Sequence, residues 1–296
     1  MDQTIVTAVD TRTPDEVVRV AGSLAGQLGA NLVLANVQSD PPLLPGSVGD
    51  RERARHRRIE EGLETLERAA EVLPDGLSVE YRAELGSVVG RLQRVVDETG
   101  ALLLVTGSRS RGALASSMLG SVSHELARQA SSPVLIVPAP DEDRSLEGAS
   151  ALVVGIDGSG ESVAAAAFAD ELAHALGDEL VLVHAYDAPG PIPSDVAEGD
   201  GGEARVPPVM RDALRRITPE ARYVVEHGPP EYVLPEVAAR EQARMIVIGG
   251  QEHWGFGPFG PATVTAQLPR ATRYPVLVVR GNPAVRPARA RRALSV

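Results

Sequence analysis

Four short apolar blocks occur along this chain and then occur again in the same order. TIVTAVD at 4–10 is followed by NLVLANV at 31–37, ALLLVTG at 101–107 and SSPVLIVP at 131–138. ALVVGID at 151–157, ELVLVHA at 179–185, RMIVIGG at 244–250 and RYPVLVVR at 273–280 restate them. Gly107 and Gly249 lie 142 positions apart (249 − 107), and so do Pro133 and Pro275 (275 − 133). The chain therefore reads as a duplicated domain, over 1–138 and 151–281, with a flexible basic tail at 282–296. Between the copies, APDEDRSLEGAS at 139–150 is acidic, small and aperiodic, as a linker is. A length of 296 residues suits two domains of ordinary size.

Within each copy the blocks are β-branched and continuous rather than alternating, the pattern of strands buried on both faces of a parallel sheet. Helical spacing separates them. Val17, Val20, Ala21, Leu24 and Leu28 fall three or four apart ahead of Gly29, a C-terminal stop; Ile59, Leu63, Leu66, Ala70 and Leu73 repeat that spacing. Strands alternating with helices imply right-handed crossovers and an open α/β sheet with helices on both faces. Ligands of such sheets bind beyond the carboxyl ends of the strands, where strand order reverses. The segments after TIVTAVD and ALLLVT lie at such ends.

Composition removes several classes of function. The net charge of −11 disfavours a nucleic-acid partner held by bulk electrostatics. The absence of cysteine excludes disulfides and thiolate metal sites, and the six histidines have no metal-ligand spacing. No apolar run reaches the roughly 18 residues of a membrane span, and MDQTIVTAVD is not a signal peptide, so the expected location is the cytoplasm.

The segment TGSRSRGALASSMLGSVS at 106–123 offers a phosphate three things. Gly107 and Gly112 permit close backbone approach, Gly120-Ser121 opens a helical segment whose N–H groups attract anions, and Arg109 and Arg111 add charge. It is neither a Walker loop nor G-x-G-x-x-G. On these features alone, a phosphate site and an ordinary βα loop with a serine cap both stay open.

The same segment resembles the nucleotide loop of the ATP-binding branch of the universal stress protein family, G-x2-G-x9-G-[S/T]. Gly107 stands at its first glycine and Gly120-Ser121 at its closing pair, while Ser110 replaces the second glycine. The Val9-Asp10 strand end and the final PVLIVP strand agree, and the resemblance extends over residues 3–138 and 151–280. It implies a tandem pair of Rossmann-like domains, related to the adenine nucleotide alpha hydrolases, each with a five-stranded parallel sheet. It also implies ATP, with or without Mg2+, across the strand ends. Asp10 would lie near the ribose or adenine, and Ala8 and Val37 would line the adenine pocket. Thr106, Gly107, Ser108, Arg109, Ser110, Arg111, Gly112 and Ala113, with Gly120, Ser121 and Val122, would hold the phosphates. Read without the resemblance, Asp10 is a helix cap beside Thr11 and Thr13.

The second copy keeps the first-strand residues Gly155 and Asp157, and has Ala185 on its second strand and Gly249 at the loop. Its loop, 249–265, departs further. Glu252 stands where Ser110 does, Gln251 and His253 replace the arginines, and Ala262-Thr263 replaces Gly120-Ser121. The adenosine half of a site is retained there and the phosphate half is not. Trp254, Phe256 and Phe259 cluster in that loop, as local packing or as a contact patch. RERARHRR at 51–58 reads as a solvated helix face, and 187–208 as a disordered loop.

The resulting expectation is an ATP-binding stress-response regulator with slow or no hydrolysis, because no residue reads as a catalytic base. The alternative is an interaction or scaffold protein of the same fold that binds no nucleotide. The proline-led last strands at 133–138 and 275–279 read as sheet edges that pair with one another. Self-association as a homo-oligomer is expected as well.

Overall fold

In the first copy, mainly apolar residues build the centre of a sheet. The computed structural model describes residues 3–41, 48–108, 120–138, 148–186, 198–199, 208–218, 221–250, 256–257, 260–261 and 264–281. It divides into two units, Met1–Pro140 and Asp141–Val296. The first runs β1 (Thr4–Ala8), α1 (Asp15–Leu28), β2 (Asn31–Gln38), α2 (Val48–Ala70), β3 (Val79–Leu85), α3 (Val88–Thr99), β4 (Leu103–Gly107), α4 (Ser121–Gln129) and β5 (Val134–Val137). Its sheet is wholly parallel in the order β3-β2-β1-β4-β5, with Ile5 opposite Leu32 on one side and Leu103 on the other. Ile5, Leu32, Leu34, Leu103 and Leu104 have no solvent exposure. Burial on this scale, at about 25 cal/mol per Å² of apolar surface, is the main force holding the layers together.

Crossover handedness places the helices. Progress from β1 through β3 is in one direction and from β3 through β5 in the other, so α1 and α2 share one face and α3 and α4 the opposite face. Helix α1 stops where expected: Gly29 is left-handed (φ 61°), and Ala30 N–H bonds the carbonyl of Ala25. Gly177 closes the corresponding helix of the second unit in the same way (φ 74°), with Asp178 N–H on the carbonyl of Ala173.

The second unit repeats the plan as β6 (Ala151–Gly155), α5 (Gly160–Leu176), β7 (Glu179–Tyr186), β8 (Glu198–Gly199), a 3-10 turn (Pro208–Met210), α6 (Arg211–Leu214) and β9 (Arg222–His227). It continues with α7 (Pro230–Arg240), β10 (Ala243–Gly249), β11 (Phe256–Gly257), β12 (Gly260–Pro261), α8 (Val264–Ala271) and β13 (Val276–Val279). Five strands are parallel in the order β9-β7-β6-β10-β13. Here the five-stranded expectation needs one correction, because β8 adds a short antiparallel strand against β9. It comes from the segment read as a disordered loop: residues 198–199 pair with Tyr223 and Val224, while 187–197 and 200–207 lie outside the described residues. A second antiparallel pair, β11 with β12, forms within the aromatic loop, whose Trp254 and Phe259 also lie outside them. Among the described residues no helix is long and apolar enough to cross a membrane.

Candidate functional site

In the first unit, strand order reverses between β1 and β4, so their following segments diverge to opposite faces and leave a crevice. A cavity of about 470 Å³ occupies it, within the range of small-molecule sites. Ala8, Ala35, Val37, Val88 and Leu92 give it apolar walls, and Asp10, Thr106, Gly107 and the Gly120–Ser123 segment supply polar ones. Eight of the residues proposed from the sequence, Ala8, Asp10, Val37, Thr106, Gly107, Gly120, Ser121 and Val122, thus meet around one cavity although they span 115 positions (122 − 8 + 1). Ser108 does not line it. That residue is 4% exposed, and its N–H and carbonyl are used by Val137 and Gly120. Arg109, Ser110, Arg111, Gly112 and Ala113 lie outside the described residues.

Two pieces of local chemistry shape the cavity wall. The chain leaving β1 closes a tight turn in which Asp10 Oδ1 accepts from Arg12 N–H (2.8 Å) and from the Thr13 hydroxyl (3.1 Å), while Asp10 N–H donates to Thr13 Oγ1 (2.8 Å). The carboxylate therefore organises the turn ahead of α1, as a capping residue would, and also faces the cavity. On the other wall, Gly120 N–H donates to the Ser108 carbonyl (2.9 Å) and Ser123 Oγ to the Gly107 carbonyl (2.6 Å), which fastens the start of α4 to the end of β4. The first helical bond is His124 N–H to the Gly120 carbonyl, so the N–H groups of Ser121, Val122 and Ser123, in the first turn of α4, are not used by the helix's own ladder. They carry the positive end of the helix dipole at the cavity.

Sequence reasoning passed over Arg12, Val88 and Leu92. Arg12 lines the cavity with its guanidinium 3.8 Å from Asp10 Oδ2. Its signal was its place after a strand end, between two threonines that drew attention as caps. Val88 and Leu92 come from α3, whose apolar spacing shows a packed face but not what the face covers.

The second unit has a cavity of about 120 Å³ at the corresponding place. Gly155, Asp157, Ala185 and Gly249, the four residues proposed there, all line it, together with His184, Leu234 and Val264. A Cβ on Gly155 would come within 3.2 Å of Leu234 Cδ1, so that side chain already takes up the space beside the strand end. Gly249 has a packing reason of its own: a Cβ there would lie 2.7 Å from the Glu161 carbonyl carbon and the Ser162 nitrogen in the first turn of α5. Asp157 Oδ1 accepts from Ser159 N–H and its hydroxyl, and Ser159 Oγ in turn caps α5 at Ser162 N–H. Gln251, Glu252, His253, Ala262 and Thr263 lie outside the described residues. Among the described residues of the chain, no group of three or more His, Cys, Asp or Glu is placed to hold a metal ion.

Comparison with known proteins agrees with the repeat. A model of the Universal stress protein family matches the chain twice, at residues 1–138 and 150–280. A universal stress protein of Mycobacterium tuberculosis is 29% identical over 266 residues, covering 84% of this chain and 85% of its own. Among solved structures, a universal stress protein from Archaeoglobus fulgidus covers 94% of this chain and 98% of its own at 17% identity, with a TM-score of 0.65. A universal stress protein solved in complex with cAMP covers 46% of this chain and 96% of its own, at 27% identity and a TM-score of 0.35. With the family model spanning nearly all of both copies, the chain belongs to the universal stress protein family.

Proposed function

We propose that the first domain binds ATP and that the chain acts as a nucleotide-dependent regulator with slow or no hydrolysis. The observation that carries this reading is the cavity of about 470 Å³ where the start of α4 opens opposite apolar strand ends. Such a cavity suits a ligand that is apolar and flat at one end and anionic at the other. Ala8, Ala35 and Val37 would receive the base, Asp10 a ribose hydroxyl, and the N–H groups of Ser121 and Val122 the phosphates. The expectation of slow turnover is supported by the described lining, which holds one carboxylate and no histidine, the carboxylate being Asp10, the group assigned to the ribose rather than to an attacking water.

Gly120→Glu tests the reading by calorimetry of the full chain with ATP. Gly120 has an ordinary φ of −54°, and an added Cβ would stand 3.3 Å from the Ser108 carbonyl oxygen, which must give by a few tenths of an ångström, so Gly120→Ala is the control that separates this shift from the effect of charge. The glutamate puts negative charge at the helix start, and ATP binding is expected to be lost, while Gly120→Ala keeps most of it. Unchanged ATP affinity in Gly120→Glu would remove the assignment.

A further inference from the structure

The residue that leaves the first strand is held on both sides in each domain. In the first, Val9 N–H donates to the Ala35 carbonyl (2.9 Å), and the Val9 carbonyl accepts from Asn36 Nδ2 (2.8 Å). In the second, Ile156 N–H donates to the Val183 carbonyl (2.8 Å), and the Ile156 carbonyl pairs with His184 Nδ1 (2.8 Å). Asn36 and His184 occupy the same position on β2 and β7: Ala35 lies opposite Ala8, Val183 lies opposite Gly155, and each clasping residue comes next. An amide and an imidazole share little in shape or acidity. What they share is a nitrogen bonded directly to Cγ, at the same reach from the backbone, that can donate one hydrogen bond.

Core stability does not ask for this amide. Asn36 is 3% exposed, and its Oδ1 is buried without a partner among the described residues, a cost that a leucine of similar size would avoid. The amide is explained by its bond to Val9. The next residues in the chain are Asp10 and Asp157, each lining the cavity of its own domain.

We propose that Asn36 and His184 are positioning residues, each fixing the carbonyl at the strand exit and thereby the direction in which Asp10 or Asp157 meets a ligand. The Val9–Asp10 peptide is held at its two ends, its N–H by Thr13 Oγ1 (2.8 Å) and its carbonyl by Asn36 Nδ2 (2.8 Å), and loss of the second bond leaves the plane pinned at one end, so that Asp10 can tilt relative to the cavity. For the first domain, the inference rests on the nucleotide reading.

Calorimetry of the full chain with ATP, on wild type, Asn36→Leu and Asn36→His, decides it. Asn36→Leu is expected to raise the Kd about tenfold, the factor that one ordinary hydrogen bond is worth, without lowering the thermal midpoint. Asn36→His, which borrows the second domain's solution, is expected to restore the wild-type Kd to within about threefold. A purely structural role would move the midpoint and leave the Kd alone. Wild-type binding that Asn36→Leu leaves unchanged, or an Asn36→His as weak as Asn36→Leu, overturns the positioning role alone. Absence of ATP binding in wild type overturns the nucleotide reading and this inference with it. Should Asn36→Leu not fold, Asn36→His decides: a wild-type Kd supports the role, and a loss of more than about tenfold removes it.

Discussion

Thr7 and Val154 stand at the same point of the two first strands, both without solvent exposure, and differ by a hydroxyl in place of a methyl. Thr7 Oγ1 is buried with no hydrogen-bond partner among the described residues. An orphaned buried hydroxyl costs about 1–3 kcal/mol, so the second copy's valine is the better core residue. Thr7→Val is therefore expected to stabilise the first domain by about 1 kcal/mol or more. Hydrogen exchange of the β1 and β2 amides in the full chain measures this, and slower exchange is the expected direction. Faster exchange would mean that the hydroxyl has a partner in solution. The same comparison separates cost from purpose. Asn36 and Thr7 both carry an unpartnered buried oxygen, but only Asn36 also donates to the strand exit.

At the scale of elements, the turn from the second domain's first helix into β7 is tied to the start of its fourth parallel strand by one ion pair. Arg244, at the start of β10, reaches Asp178 through Nε (2.6 Å) and Nη2 (2.9 Å), and Nη2 also donates to the Ala149 carbonyl. The two side chains are 13% and 3% exposed. Removing one partner of such a pair strands the other charge, at a cost of about 3–5 kcal/mol. Asp178→Ala should destabilise the second domain by that amount, whereas Glu80→Ala, which breaks the exposed pair with Arg82, should cost less than about 1 kcal/mol. Hydrogen exchange in the full chain separates the two, through the α5 and β10 amides for the second domain and the β2 and β3 amides for the first. Equal effects would mean that the Arg244 pair is solvated. Elements were legible in the sequence where they are central and continuous: β1, β2, β4, β5 and their repeats are short, mostly apolar and β-branched blocks that are largely buried, and α1 ends at its glycine. Strand β3 escaped a search for continuous apolar blocks because it is an edge. It alternates Val79, Tyr81, Ala83 and Leu85 with Glu80, Arg82 and Glu84, and the charges suit an edge that must not pair freely. The site was legible in part, because strand ends carry their own signal. What α3 contributes was not, since the apolar stripe holding Val88 and Leu92 reads the same over a core as over a ligand.

For the whole molecule, the question is how many nucleotides one chain takes. Duplication gives two candidate sites, but their volumes differ, about 470 Å³ against about 120 Å³, and the smaller falls below the range of about 300–1,000 Å³ usual for small-molecule pockets. Leu234 beside Gly155 and the close seat of α5 on Gly249 are packed side chain and backbone, so widening the second site would disturb the core rather than a loop. The sequence points the same way, with Glu252 in place of Ser110 and no arginine at the positions of Arg109 and Arg111. A carboxylate at the position of Ser110 opposes a polyphosphate there by like-charge repulsion. The expected stoichiometry is therefore one ATP per chain. Calorimetry of wild type gives the number directly, and Gly120→Glu locates the site: it should abolish the whole signal. Two ATP per wild-type chain, or one full-affinity ATP surviving in Gly120→Glu, would show that the second domain binds the triphosphate and that its narrow cavity opens to do so.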